Sequence, residues 1–179
     1  MDIARIELEA FGSRAWSVAA LAPELPPDAV EPGKVSATPP APAASASGGP
    51  TRSAVVSTAG GTPGEGDGHA VGYALLMYAG EMADIVRLAV SPEYRRQGRA
   101  AALIGALVDF STAFGCTHVL LEVAADNLGA RRCYERQAFE QIHHRRGSAG
   151  EAGTLVLRRS LSSPDASAGQ ERAESPNGR

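Results

Sequence analysis

Apolar positions in this chain change period several times, and each change marks an element. Ile3, Ile6, Leu8 and Phe11, then Trp16, Val18, Leu21 and Leu25, form two groups separated at Gly12-Ser13. This pattern predicts two short helices, with Ser17 placed to cap the second. From 26 to 52 the chain is mostly proline, alanine, serine, glycine and threonine, with almost nothing large and apolar to bury. Such a segment cannot offset roughly 1–2 kcal/mol of backbone ordering per residue and is expected to be a disordered insertion. Strands of a meander are predicted at 54–57 (AVVS) and 70–78 (AVGYALLMY), and another at 85–90 (IVRLAV) that ends at Ser91-Pro92, because proline has no N–H to continue a ladder. Leu103, Ile104, Leu107, Val108 and then Ser111 and Phe114 recur at helical spacing, so a helix opens near Gly98 and stops at Gly115. A β run at 117–123 (THVLLEV), a turn at 124–127, a helix over 128–137, a closing strand after Phe139 and a last strand at 154–157 complete the pattern, and 162–179 is a polar, disordered tail. The expected organisation is therefore helices in 1–25, an insertion in 26–52, a folded core in 53–161 and the tail.

Composition narrows the function classes. The chain has 179 residues, is 44% hydrophobic and carries a formal net charge of -3, which fits one folded domain with unstructured additions. A slightly acidic protein has no general attraction for nucleic acid, so its arginine clusters are read as local sites. Cys116, Cys133, His69, His118, His143 and His144 form no metal-ligand or redox spacing, and neither a metal nor a disulfide is expected. Acids at Asp2, Glu7 and Glu9 break the amino-terminal segment, which is no signal peptide, and no later run approaches a membrane span. A cytoplasmic protein, monomeric or a weak dimer, is expected.

The chemistry concentrates between strand 85–90 and the helix after Gly98. Tyr94, Arg95, Arg96, Gln97, Gly98 and Arg99 place arginines and free backbone N–H groups at the positive end of a helix dipole. That is an anion site suited to phosphate. No Gly-Lys-Ser/Thr closes the turn, which argues against a P-loop, and no Gly-x-Gly-x-x-Gly occurs in it, which argues against a dinucleotide fingerprint.

What remains, Arg95-x-x-Gly98-x-Ala100, resembles the acyl-CoA loop of the acetyltransferase (GNAT) superfamily. Gly72-Tyr73 ahead of Ala74-Leu75-Leu76 is similar to the strand that precedes the cofactor strand there. Leu121-Glu122-Val123, Asn127, Ala130, Tyr134 and Phe139 resemble the signature of the ribosomal-protein-alanine N-acetyltransferase family, as do Leu8-Glu9-Ala10-Phe11 and Ala15-Trp16-Ser17, which in that family border the acceptor groove. The resemblance implies a mixed α/β (α+β) fold whose mostly antiparallel sheet splays between its fourth and fifth strands to admit acetyl-CoA. It implies that the backbone of Leu88, Ala89 and Val90 grips the co-substrate, that Arg95, Arg96, Gln97, Gly98, Arg99 and Ala100 hold its pyrophosphate, and that Asn127 is a further contact. Glu122 would be the general base and Tyr134 the general acid.

The residues also bear on those roles directly. Burial in an apolar strand would make Glu122 a stronger base, as deprotonating an amine requires; the alternative is an exposed strand end. Asn127 and Tyr134 stand seven residues apart, about two helical turns, and can share one face. The alternative for Tyr134 is a packed aromatic. Departures from the family pattern occur at Arg99 and Ala100, at Ala124, at Gln137-Ala138-Phe139, and at 143–148 (HHRRGS), where paired acceptor-site tyrosines are absent. The chain begins where that family's first helix begins, so either the family's first edge strand is expected to be missing or the start is late. The resemblance implies acetyl transfer to the N-terminal amine of a protein, alanine on a small-subunit ribosomal protein; a small-molecule amine as acceptor, or a non-catalytic acyl-CoA-binding module, are the other readings.

Overall fold

The computed structural model describes residues 2–21, 36–37, 51–59, 69–148, 150 and 152–161. Helix α1 (Asp2–Phe11) and a 3-10 turn (Gly12–Arg14) lead to the short α2 (Val18–Leu21). Strands β1 (Ser36–Ala37), β2 (Thr51–Ala59), β3 (His69–Ala79) and β4 (Met82–Val90) follow. A 3-10 turn (Pro92–Tyr94) then opens into α3 (Arg99–Ala113), with β5 (His118–Ala124), α4 (Leu128–Arg136), β6 (Glu140–Arg145) and β7 (Thr154–Ser160) after it. The sheet order is β1-β2-β3-β4-β5-β7-β6. Every neighbouring pair is antiparallel except β4 and β5. No described helix is long and apolar enough to cross a membrane.

Most elements lie where the apolar periods place them. Leu103, Ile104, Leu107, Val108 and Ser111 are the buried stripe of α3, and Gly115, at φ 75°, follows its last turn. Ser17 caps α2 through Oγ, which accepts the Ala20 N–H at 3.3 Å. The structure differs from expectation in the segment 26–52: Ser36 and Ala37 pair with Val56 and Val55 on the outer edge of β2, and β2 itself begins at Thr51. An open strand edge offers unpaired N–H and C=O groups, and even a polar segment can pair with them. The rest of that segment and the tail at 162–179 lie outside the described residues.

Two features of β4 shape the site. Its pairing with β5 covers only Met82–Ile85 against His118–Leu121, so the two strands part beyond Ile85. A bulge also skips Val86, since Leu76 pairs with Ile85 while Leu75 pairs with Arg87. An extra residue reverses side-chain alternation. Ile85, Leu88 and Val90 therefore pack with α3 and β5, while Ala89 joins Ile3, Ile6, Leu21 and Tyr73 on the α1 face.

Arg87 also turns to the α1 face and meets Glu7, which is completely buried. Arg87 Nε donates to Glu7 Oε1 at 2.9 Å, Nη2 forms an ion pair with the same carboxylate, and Nη2 also donates to the Arg14 carbonyl at 2.8 Å. Glu7 further accepts the Trp16 N–H at 2.8 Å and the Tyr73 hydroxyl. The guanidinium lies 3.6 Å from the Phe11 ring centroid and 5.0 Å from that of Trp16. Burial, and then the neighbouring carboxylate, push the Tyr73 hydroxyl above its ordinary pKa, so it stays a donor. One buried carboxylate thus fastens the segment between α1 and α2 to the sheet. Glu7→Ala leaves the largely buried Arg87 without its counter-charge and should lower stability by about 3 kcal/mol, read as a fall in the urea midpoint. A loss below about 1 kcal/mol would assign that anchoring to the aromatic packing alone.

Candidate acetyl-CoA cleft and catalytic groups

The parting of β4 from β5 opens a cleft of about 570 Å³, walled by β4, the arginine turn, the start of α3, and α4. The turn is built by local bonds. Tyr94 N–H donates to the Ser91 carbonyl at 2.9 Å and Arg95 N–H to that of Pro92 at 3.3 Å, which closes the 3-10 turn. Gly98 then caps α3 with φ 78°, a left-handed conformation that costs glycine nothing, and Arg96 takes φ 62°, which a non-glycine residue adopts only under constraint. No side chain caps α3, and Ala102 N–H bonds the Gly98 carbonyl at 3.0 Å. The amides ahead of Ala102 are the open N-terminal donors of the helix.

The strand side of the cleft supplies more backbone donors. Ser91 N–H reaches the Val71 carbonyl at 2.8 Å, toward β3. By strand alternation the peptide groups of Leu88 and Val90 point the other way, into the gap. The Val90 carbonyl agrees, because it accepts Arg95 Nε at 3.0 Å. Gly72 keeps β3 close here: a Cβ on it would stand 3.0 Å from the Ala89 carbonyl oxygen and 3.4 Å from Leu103.

Leu88, Ala89, Val90, Arg95, Arg96, Gly98, Arg99, Ala100, Asn127 and Tyr134 all line the cleft, as the sequence grouped them. Gln97 does not: its side-chain amide turns back to donate to the Glu93 carbonyl at 3.0 Å. Asn127 has a second duty, since its Oδ1 caps α4 by accepting the Ala130 N–H at 3.1 Å. Tyr134 is buried with 8% exposure and packs edge-on against Phe139, ring centroids 5.9 Å apart. Burial, and secondarily Cys133, push its hydroxyl up to about 12, so it holds its proton at neutral pH.

Glu122 is a correction. Val119, Leu121 and Val123 are the buried side of β5, and Glu122 alternates to the opposite face, where it is 55% exposed and ion-paired with Arg145 of β6. An apolar run in sequence did not mean burial on both faces, because α1 and α2 cover the β2–β4 half of that face and leave β5 open. Next to it sits a carboxylate the sequence did not single out. Asp84 lies on β4 opposite Leu120, and its carboxyl is pushed above the usual value, first by burial and then by the charge of Glu122. Phe11 and Tyr94, from the two segments the sequence set beside the site, also line the cleft, and Arg132, Cys133 and Arg136 line it unforeseen. Of these, only the one-turn spacing of Arg132 and Arg136 left a signal in the sequence.

The acetyltransferase (GNAT) family model matches residues 51–139 of this chain. It is similar to the [ribosomal protein bS18]-alanine N-acetyltransferase of Escherichia coli strain K12, with 32% identity over 80 residues, 45% of this chain and 54% of the relative. The chain thus matches about half the length of that curated relative. Among solved structures, the ribosomal-protein-S18-alanine N-acetyltransferase from Escherichia coli superposes with a TM-score of 0.60 at 20% identity, covering 91% of this chain and 89% of that one. Arabidopsis thaliana NAA60 in complex with acetyl-CoA superposes at 0.54 with 21% identity over 62% of this chain and 76% of that one. Both likenesses establish the fold: a mixed, mostly antiparallel sheet flanked by helices and splayed between β4 and β5.

The raised Asp84 carboxyl has a consequence for stability. A group whose folded pKa lies above its unfolded value stabilises the fold while protonated, and that contribution is lost as pH rises through the folded value. Asp84→Asn should therefore gain melting temperature relative to the parent as pH rises from below the ordinary 3.8 toward neutrality, and match it in acid. A pH-independent difference between the two melting curves would remove Asp84 from this role.

Proposed function

We propose that this protein is an N-acetyltransferase that moves acetyl from acetyl-CoA to an amine. The observation that carries the reading is the split between β4 and β5, with an uncapped α3 N-terminus at its mouth and the protonated Tyr134 hydroxyl inside. The N-terminal amides of α3 and the arginines beside them suit a diphosphate, and the Leu88 and Val90 amides suit the carbonyls of the arm that follows it. An amide there polarises the thioester carbonyl. Glu122, on the open face, takes the ammonium proton of the acceptor through water; the freed amine attacks the thioester carbon, the C–N bond forms and the C–S bond breaks as Tyr134 protonates the departing sulfur, and the surplus proton on nitrogen leaves through water and restores the Tyr134 hydroxyl. Its base role rests on position at the splay and on the family resemblance, not on burial.

By similarity to its relatives, the acceptor is the N-terminal amine of a protein, alanine on a ribosomal protein. Incubation with acetyl-CoA should release CoA with a peptide that begins with alanine and not with polyamines or aminoglycosides. The reverse outcome would move the acceptor to a small-molecule amine. The Arg145–Glu122 ion pair favours one other reading, a non-catalytic acyl-CoA-binding module, which predicts calorimetric binding of acetyl-CoA with no turnover over a broad amine panel.

Two substitutions should fail differently. Tyr134→Phe keeps the ring packing and removes the proton donor, so kcat should fall by about 10² to 10⁴ while acetyl-CoA affinity changes only a few-fold. Gly98→Val places a β-branched side chain at φ 78° facing open space in the cleft, and should weaken acetyl-CoA first. Full turnover by Tyr134→Phe, with chemistry limiting the rate, would return Tyr134 to a packing role.

A further inference from the structure

On the sheet face that α1 and α2 leave open, charge is separated by sign. Asp84 and Glu122 lie on the β4 and β5 side, and Arg145 lies two strands from Glu122 on β6, across β7. Arg145 stands in register with Thr154 and, beyond it, Ala124, neither of which carries a charge. It reaches diagonally to Glu122 instead, whose own row holds Val156 and His143. Arg158, next on β7 on the same face, stands opposite Glu140, so that row already contains both signs. Both side chains of the Arg145–Glu122 pair are 55% exposed, and an exposed pair biases its closed form by about fivefold at most. While it is closed, the carboxylate that would take the acceptor's proton faces a guanidinium, which also repels an arriving ammonium group.

We infer that Arg145 is a latch on Glu122 that an acidic residue near the N-terminus of the acceptor releases: the acceptor's side-chain carboxylate takes the guanidinium, and Glu122 is freed to meet the ammonium. The inference rests on the reading of the acceptor as a protein N-terminus and specifies which N-termini suit it. Neighbouring strands lie about 4.8 Å apart and an extended chain rises about 3.3 Å per residue, so about three acceptor residues span the two strand spacings from Glu122 to β6. The acid therefore belongs at the second or third position. A guanidinium holds a carboxylate through two parallel charge-assisted hydrogen bonds, which also fixes the direction in which the acceptor chain leaves the site. An acceptor with lysine in those positions meets Arg145 as a like charge and leaves the latch closed.

Steady-state acetylation by the full chain of three peptides that begin with alanine and carry Glu, Gln or Lys at the second and third positions tests it. The parent should favour the Glu peptide over the Gln peptide by about fivefold in kcat/KM, with the Lys peptide poorest. Arg145→Gln should level that ranking by improving the Gln and Lys peptides, with calorimetric acetyl-CoA affinity and melting temperature close to the parent's because both ends of the pair are exposed. Arg145→Lys, which keeps the charge, should keep the order of the three. Equal use of the Glu and Gln peptides by the parent, or a ranking that survives in Arg145→Gln, would overturn the latch and leave the protein-acceptor reading standing. Turnover of none of the three peptides, with acetyl-CoA bound, would sink both.

Discussion

The four backbone pairs that join β4 to β5, Met82–Ile85 against His118–Leu121, are the constraint on which the rest of the site depends. A parallel pairing carried to Val90 would close the gap, satisfy the Leu88 and Val90 peptide groups within the sheet, and leave no place for a ligand. Stopping it leaves polar backbone groups facing a cleft, a situation that water or a ligand has to relieve. The bulge at Val86 serves the same end, because it twists the free half of β4 and reassigns its side chains between the two faces.

A strand freed from one neighbour has to be held by other contacts. On the α1 face, Glu7 and Arg87 fix β4 to the segment between α1 and α2, with Tyr73 of β3 in the same network. At the end of β4, Arg95 folds back on the Val90 carbonyl and Ser91 N–H bonds Val71 on β3. Ser91 Oγ reaches Glu9 at 2.9 Å, so α1 touches the strand at two points. The cleft is thereby bounded by a strand that is open toward β5 and tied toward everything else.

Charge is distributed to match. Cations gather at the turn and on α4, around the space suited to phosphates, while Asp84 and Glu122 lie together at the foot of the split, where a cationic amine would arrive. Arg145 sits against Glu122 from β6, in the stretch where the resembling family carries tyrosines. The open face of β5 and β6 thus carries an ion pair next to a stretch that is tyrosine-bearing in the family pattern.

Much of this was legible in the sequence, because side-chain direction within a helix or strand is a local property with a fixed period. The stripe of α3, the Ser17 cap, the stop at Pro92, and the shared face of Asn127 and Tyr134 all follow from period and turn chemistry, and the arginine-lined turn at the mouth of the cleft follows from Gly98 and its neighbours. Local periods carry no record of which strand lies beside which, nor of where a sheet face is left uncovered. The placement of β7 between β5 and β6 brought Arg145 within reach of Glu122 only by way of a folded hairpin, and it left Glu122 in solvent despite the apolar residues around it. Glu7 likewise read only as one of three acids that break the amino-terminal segment, and it became a buried anchor because a bulge 79 residues further along turned Arg87 to the same face. Those outcomes depend on strand order and layer coverage, which form only when distant segments pack, and the tertiary structure alone decided them.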